Sequence, residues 1–321
     1  MARLRSSAQA VTLITLPLMP SLLDYIVCRI SEEDPLFAQS LTPYIAGMDS
    51  IFRERAESFL GRYQRYLASE GKTIDFGLSS FAKMRASVEE ERMKFLRSGQ
   101  YSSNSFEEVN RRVYGNPEIM EAHMHGLVFA QFLWPDQYRR FSFFCDNLPA
   151  YRDSIRSYLE VGGGHALYFT EALRALDAGT TFDLVDISPS SMALAQGIAA
   201  DSRAHYHLMN IYDFPADRRY DFITMGEVLE HLEQPRDLLV KVNSLLAPEG
   251  RAYITTPVNA PMVDHIYLFN DLDEIRSMFQ ECGFTIEREV HKYAVDLPEK
   301  RCKALKIALM YGALVRKSAP C

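Results

Sequence analysis

Three glycines in a row, Gly162, Gly163 and Gly164, follow the apolar run "SYLEV" and precede the helical pattern "HALYFTEALRAL". A turn stripped of side chains between a strand and a helix lets the backbone approach a ligand with no Cβ in the way. Glu160 stands two residues ahead, on the strand itself, and points a carboxylate at the turn. Dinucleotide sites use G-x-G-x-x-G, with pyrophosphate at the helix N-terminus. Here Gly162 and Gly164 fit, but the third position is Leu167, and no basic residue stands near to meet phosphate. A carboxylate at that place repels pyrophosphate and suits an ammonium or sulfonium group.

"LEVGGGHA" resembles the E/D-x-G-x-G-x-G signature of class I S-adenosylmethionine-dependent methyltransferases. Glu160, Gly162 and Gly164 match it, and Ala166 stands in for the last glycine. The resemblance covers roughly the second half of the chain and has further stations in order. "FDLVDIS" ends a second strand in Asp186, followed by Ile187. The resemblance implies that Asp186 accepts both ribose hydroxyls, through charge-assisted bonds worth about 1.5–3 kcal/mol each. "HLMNIYDFP" resembles the third-strand motif and implies Asn210 and the Ile211 backbone at the adenine edge. "YDFITMGEVLEHL" resembles the segment after the fourth strand of small-molecule methyltransferases such as those of quinone biosynthesis, and "LLAPEGRAYITTP" resembles the helix, turn and fifth strand. S-adenosyl-L-methionine is the implied cofactor. Glu160, Gly162, Gly163, Gly164, Asp186, Ile187, Asn210, Ile211 and Glu227 are the expected binding residues, with Glu227 facing the methionine amine or a substrate group.

Methyl transfer disperses the sulfonium charge, so such a site mainly has to align donor and acceptor and exclude water. An oxygen or nitrogen acceptor also needs a base near its working pH, for which histidine is the usual choice. His231, at the mouth of the expected site, is one candidate, and His265 and Tyr267 in "VDHIYLF" are others. The segment 128–144, "VFAQFLWPDQYRRFSFF", concentrates aromatic rings just ahead of the strands, with Tyr114 slightly earlier. Most are expected to pack helices onto the sheet. One or two, with Tyr138 as the catalytic candidate, are expected to line a closed cavity over the cation, where a ring face contributes about 0.5–2 kcal/mol.

Two other functions fit these residues. In some relatives of the fold the cofactor's own amine attacks its γ-carbon, which yields azetidine-2-carboxylate and methylthioadenosine. A cofactor-binding protein without turnover is the other. No metal site is expected: His123 and His125 in "HMH" are two apart and point away from each other on a helix, leaving only Glu121 and His125 at i,i+4 spacing. The cysteines at 28, 145, 282, 302 and 321 are odd in number and form no C-x-x-C, as in a reduced, cytoplasmic protein. A net charge of -7, no N/D-P-P-Y after the fourth strand and no basic stripe argue against nucleic acid as partner. A small molecule is the expected substrate. A homodimer burying the aromatic segment is compatible with the pattern.

The elements that must carry these residues change character near residue 150. Residues 1–150 read as a helical, substrate-enclosing domain. The segments 52–69, 87–97 and 117–134 place apolar residues at helical spacing, and Ser105 with Glu108 has capping-box spacing. The apolar stretch 11–27 is broken by Pro17, Pro20 and Asp24 and reads as a buried segment rather than a membrane span. Over 151–321, strand-like and helical runs alternate, which predicts a doubly wound, mostly parallel α/β sheet, seven-stranded by the resemblance. Ser188 with Pro189 opens a helix there, and Gly250 and Gly283 are placed to close helices in the left-handed conformation. His205 and His207 are expected to be solvated on the third strand.

Overall fold

The computed structural model describes residues 21–318; the stretch 11–27 lies partly, and Cys321 wholly, outside them. The described end of that stretch enters α1 (Leu22–Glu33), which buries Leu23, Ile26 and Ile30. There follow α2 (Pro35–Ala46), α3 (Ser50–Ser69), α4 (Ile74–Ser98), α5 (Phe106–Val109), α6 (Pro117–Leu133) and α7 (Pro135–Asn147). Local chemistry sets their starts. Ser21, Asp34, Asp49 and Asn116 each accept a hydrogen bond from an amide in the first turn that the helix itself leaves unpaired. Helix α6 is apolar on most of its circumference and is buried nearly throughout its second half, so it forms the centre of the helical layer. After α5, capped by Ser105 as its spacing predicts, the chain widens into a π-turn over Asn110–Tyr114.

The sheet holds β1 (Ser157–Val161), β2 (Thr181–Asp186), β3 (Ala204–Leu208), β4 (Tyr220–Gly226), β5 (Leu246–Val258), β6 (Phe284–Tyr293) and β7 (Leu309–Lys317). Helices α8 (Leu167–Ala175), α9 (Pro189–Ala199), α10 (Pro235–Leu245), α11 (Leu272–Glu281) and α12 (Glu299–Ala304) connect them. The strand order is β3-β2-β1-β4-β5-β7-β6, with β7 antiparallel to both neighbours. Strand order reverses between β1 and β4, and the glycine turn and the loop after β4 both open at that point. An open α/β sheet binds ligands there.

The change from helices to strands falls near residue 150, but the packing does not divide there. One apolar cluster runs from Leu23 through Phe129 and Phe144 to Tyr158, Phe222 and Leu314. A second fills the other face of the sheet under α10 and α11. The helical layer is therefore joined to the sheet by a shared core.

Several local expectations need correction. Helix α12 was not visible in the sequence pattern. Gly283 is left-handed at φ 80°, whereas Gly250 is not: it lies inside β5, which begins at Leu246 and is irregular opposite Tyr220 and Phe222. His205 is exposed as expected, whereas His207 is half-buried, its Nε2 lying 2.6 Å from Asp183 Oδ1 on β2.

Candidate active site

The glycine turn is shaped by backbone geometry first. Gly162 and Gly164 take φ values of 70° and 49°, which L-residues rarely adopt. A Cβ on Gly163 would meet Leu184 Cδ1 at 2.5 Å. Ala166, where the motif has glycine, is left-handed at φ 57° and opens α8 under strain.

Around this turn lies a cavity of about 490 Å³, walled by the sheet ends on one side and by α6, α7 and the π-turn on the other. Glu160 lies at its floor and is almost fully buried. Tyr158 donates to its Oε2 at 3.1 Å, and Thr224 Oγ1 lies 2.6 Å from the same hydroxyl. Burial pushes the Glu160 carboxyl well above its usual pKa, and no cationic side chain offsets it. Asp186 accepts from Gly164 N at 3.2 Å and Ser188 N at 2.7 Å, which ties the turn to the end of β2; burial raises this carboxyl too. Ile187 beside it also lines the cavity and is 51% exposed, an apolar surface facing open space.

At the end of β4, Glu227 is held at φ 55°, a strained conformation for a side chain of this kind. Thr255 Oγ1 donates to its Oε1 at 2.9 Å, and the fully buried Arg140 of α7 forms an ion pair with the same oxygen. Gln137 accepts from Arg140 in turn. The Glu227 charge is thus already met from within the protein, unlike that of Glu160.

Imidazoles and carboxylates gather at the other end of the cavity. The Asp264 carboxylate stands between His123 Nε2 at 3.4 Å and His231 Nδ1 at 3.5 Å. His231 Nδ1 donates to the Asp264 carbonyl at 3.0 Å, and Tyr114 Oη lies 3.4 Å from the same nitrogen. Burial pulls His231 down, but Asp264 and Glu230 outweigh it and leave its pKa above the usual histidine value. His265 is driven to about 3, chiefly by burial and then by His231, so its ring is neutral. Glu230, fully buried behind the two rings, is pushed up to about 8, chiefly by burial and then by Glu227.

The structure therefore brings Glu160, the three glycines, Asp186, Ile187, Glu227, His231 and His265 to one cavity. It places others elsewhere. Tyr138 packs on Phe52, Phe132 and Phe141 inside the helical layer and does not line the cavity. Of the aromatic segment, Trp134 reaches the lining; Phe106, Tyr114 and Tyr168 supply further aromatic rings. Asn210 uses its side-chain oxygen to cap the turn after β3, accepting from Tyr212 N at 3.0 Å, and neither it nor Ile211 lines the cavity. Tyr267 bonds Glu274 instead. His125 meets the Tyr63 hydroxyl at 2.8 Å in the helical layer, while His123 faces Asp264, so the two do point apart. His123 and Asp264 are the residues that sequence reasoning missed. They meet only because α6 lies over the loop after β5.

Residues 134–289 match the family profile described as a methyltransferase domain. Those residues form a methyltransferase domain. The chain is 31% identical over 108 residues to the mitochondrial ubiquinone biosynthesis O-methyltransferase of Schizosaccharomyces pombe, across 32% of this chain and 38% of that protein. It is 26% identical over 165 residues to the tRNA U34 carboxymethyltransferase of Photobacterium profundum, across 46% of this chain and 50% of that one. The chain thus spans half or less of these relatives' length. Mitomycin 7-O-methyltransferase MmcR shares the fold at a TM-score of 0.50 and 12% identity, over 75% of this chain and 72% of that one.

The residues present fit the cofactor of this domain class. The methyltransferase turn is free of side chains where a nucleoside must approach, Glu160 lacks a cationic partner, and Asp186 is held at the rim by two amides. Among the described residues, no helix is long and apolar enough to cross a membrane.

Proposed function

We propose that the chain is an S-adenosylmethionine-dependent methyltransferase whose acceptor is a small molecule with a hydroxyl group, enclosed beneath the helical layer. One observation carries this reading. A single cavity has a cation-seeking floor at Glu160 and the glycine turn, and a proton-accepting end at His231, Asp264 and His123. The bound cofactor supplies an electrophilic methyl group on a sulfonium. Glu160 holds the ammonium of its methionine part, Asp186 the ribose, and Ile187 covers the adenine. Tyr114, Trp134 and Tyr168 exclude water and present ring faces to the positive charge.

An acceptor oxygen would take the methyl group that the bound cofactor supplies, and its proton would pass to an imidazole paired with Asp264. His231 and His123 flank that carboxylate, whose pKa is held at about 2 against the cost of burial by His123, His231 and His265 together. A carboxylate behind an imidazole stabilises the imidazolium that forms. Specialised metabolism and a cytoplasmic setting belong to the same proposal; the latter is supported by Cys28, Cys145, Cys282 and Cys302, all free thiols.

The test is incubation of the purified chain with S-adenosylmethionine, alone and with a panel of small hydroxylated acceptors, followed by mass spectrometry. S-adenosylhomocysteine formed only with an acceptor supports the proposal. Methylthioadenosine formed from the cofactor alone overturns it in favour of intramolecular cyclisation.

A further inference from the structure

A second hollow lies at the other end of the sheet from the cofactor cavity, near where the strands begin. It holds about 450 Å³, and its lining includes Asp183 on β2, His205 and His207 on β3, and Arg218, Arg219 and Tyr220 at the start of β4. That volume is within the range of small-molecule pockets, about 300–1,000 Å³. Asp183 shares β2 with Asp186 of the cofactor cavity, three residues or about 10 Å further along the strand, and the two hollows share no lining residue.

The carboxylate in this lining is already met from within. Asp183 is buried, and its Oδ2 accepts from Tyr220 Oη at 3.0 Å. Its Oδ1 lies 2.6 Å from His207 Nε2 and accepts from Arg218 Nη1 at 3.4 Å. Arg219 Nη1 donates to the carbonyls of Ala216 and Arg218 instead, and among the described residues neither Arg219 nor His205 forms an ion pair. Beside Arg219 stands Lys317, whose ammonium is pulled below its usual pKa by burial and then by that guanidinium. Elsewhere on the surface, guanidiniums are matched: Arg203 by Asp201, Arg236 by Glu281, and Arg276 by Asp273 and Glu289. Here two arginines, a lysine and two imidazoles gather against Asp183 and the exposed Asp217, in a chain of net charge -7. Like charges held together leave a positive potential that a bound anion relieves.

We propose that this hollow is a second ligand site, which takes the phosphate group of a small phosphate monoester between Arg218, Arg219 and His205. Two guanidinium forks offer more donors than the two oxygens of a carboxylate can use, and their planar geometry suits phosphate. A phosphate monoester brings three acceptor oxygens and a charge of about -1.5 to -2 at pH 7. Asp183 serves the site by anchoring Arg218 and His207 from below. The cations crowd one hollow instead of running as a stripe, which suits a small ester better than a nucleic-acid backbone. The proposal is independent of the reaction carried out at the other end of the sheet.

The test is calorimetric titration of the full-length protein with ribose 5-phosphate, inorganic phosphate and ribose at two salt concentrations. Ribose 5-phosphate is expected to fill one saturable site, more weakly at the higher salt, and ribose to give no binding heat. Arg218→Gln and Arg219→Gln should each weaken that site about tenfold or more, while Arg236→Gln, outside the hollow, leaves it unchanged. Arg219→Gln leaves Asp183 all three of its partners, so it tests the site even if Arg218→Gln loses stability in thermal melts. No saturable uptake of ribose 5-phosphate, uptake of inorganic phosphate alone, or an equal loss in Arg236→Gln overturns the proposal. Displacement of the ester by S-adenosylhomocysteine overturns it too, by placing the phosphate in the cofactor cavity. Affinity for single-stranded oligonucleotides that rises with their length overturns it in favour of nucleic acid.

Discussion

Replacing Glu160 by glutamine separates two opposed consequences of one buried carboxylate. The change keeps shape and leaves an oxygen for the Tyr158 hydroxyl to donate to, 3.1 Å away in the unaltered chain. It removes the negative charge that meets the cofactor's ammonium. A hydrogen bond to a charged group contributes about 1.5–3 kcal/mol, so S-adenosylhomocysteine should bind roughly tenfold to a hundredfold more weakly. The ligand-free protein should respond in the other direction. Burial raises the Glu160 carboxyl well above its unfolded value, so the folded state holds the proton more tightly than the unfolded chain. The associated stability is complete below the unfolded pKa and is lost as pH rises through the folded one. Glutamine has no such proton to lose. The variant should therefore melt at or above the wild-type temperature, with a gap that widens from pH 5 to pH 8. Isothermal titration gives the first quantity and a pH series of thermal melts the second. Unchanged affinity would falsify the assignment of Glu160 to the ammonium, and a pH-independent loss of stability would refute the burial argument.

Other substitutions test the remaining assignments. Asp186→Ala removes the acceptor for Gly164 N and Ser188 N together with the ribose contact, and should weaken S-adenosylhomocysteine about a hundredfold; Asp186→Asn, which keeps one acceptor oxygen, should lose less melting temperature. Tyr138→Phe should leave turnover within about twofold, because that hydroxyl meets only Arg55 at 3.4 Å. Tyr114→Phe should lower kcat, and equal effects of the two changes would contradict the placement of Tyr114 beside His231. Ala166→Gly relieves a left-handed alanine and should raise stability by about 0.5–1 kcal/mol in urea denaturation, the strain relieved exceeding the extra chain entropy of glycine.

What could be read in advance follows how local each signal is. The glycine turn, Glu160 and Asp186 lie within single strand-to-helix connections, where residue type alone dictates backbone shape, and they meet as expected. Tyr138 misled because a helical aromatic run has the same spacing whichever way it faces. The break at Trp134, where the chain turns extended before Pro135, rotates α7 so that Trp134 reaches the cavity and Tyr138 the interior of the helical layer. Asn210 was misplaced because its amide serves a cap, a use that its position after a strand does not reveal. The pairing of His123 with Asp264 joins the helical layer to a loop beyond the sheet, and no spacing rule reaches across that distance in sequence. The left-handed Glu227 was equally hidden, since its conformation is imposed by Thr255 and by the buried Arg140.

A crystal structure of the chain grown with S-adenosylhomocysteine examines the whole account at once. The nucleoside should lie across the bare backbone bend, its base on Ile187, its sugar hydroxyls on Asp186 and its amine beside Glu160. Density for the ligand on any other surface, or an empty cleft at saturating concentration, would contradict it.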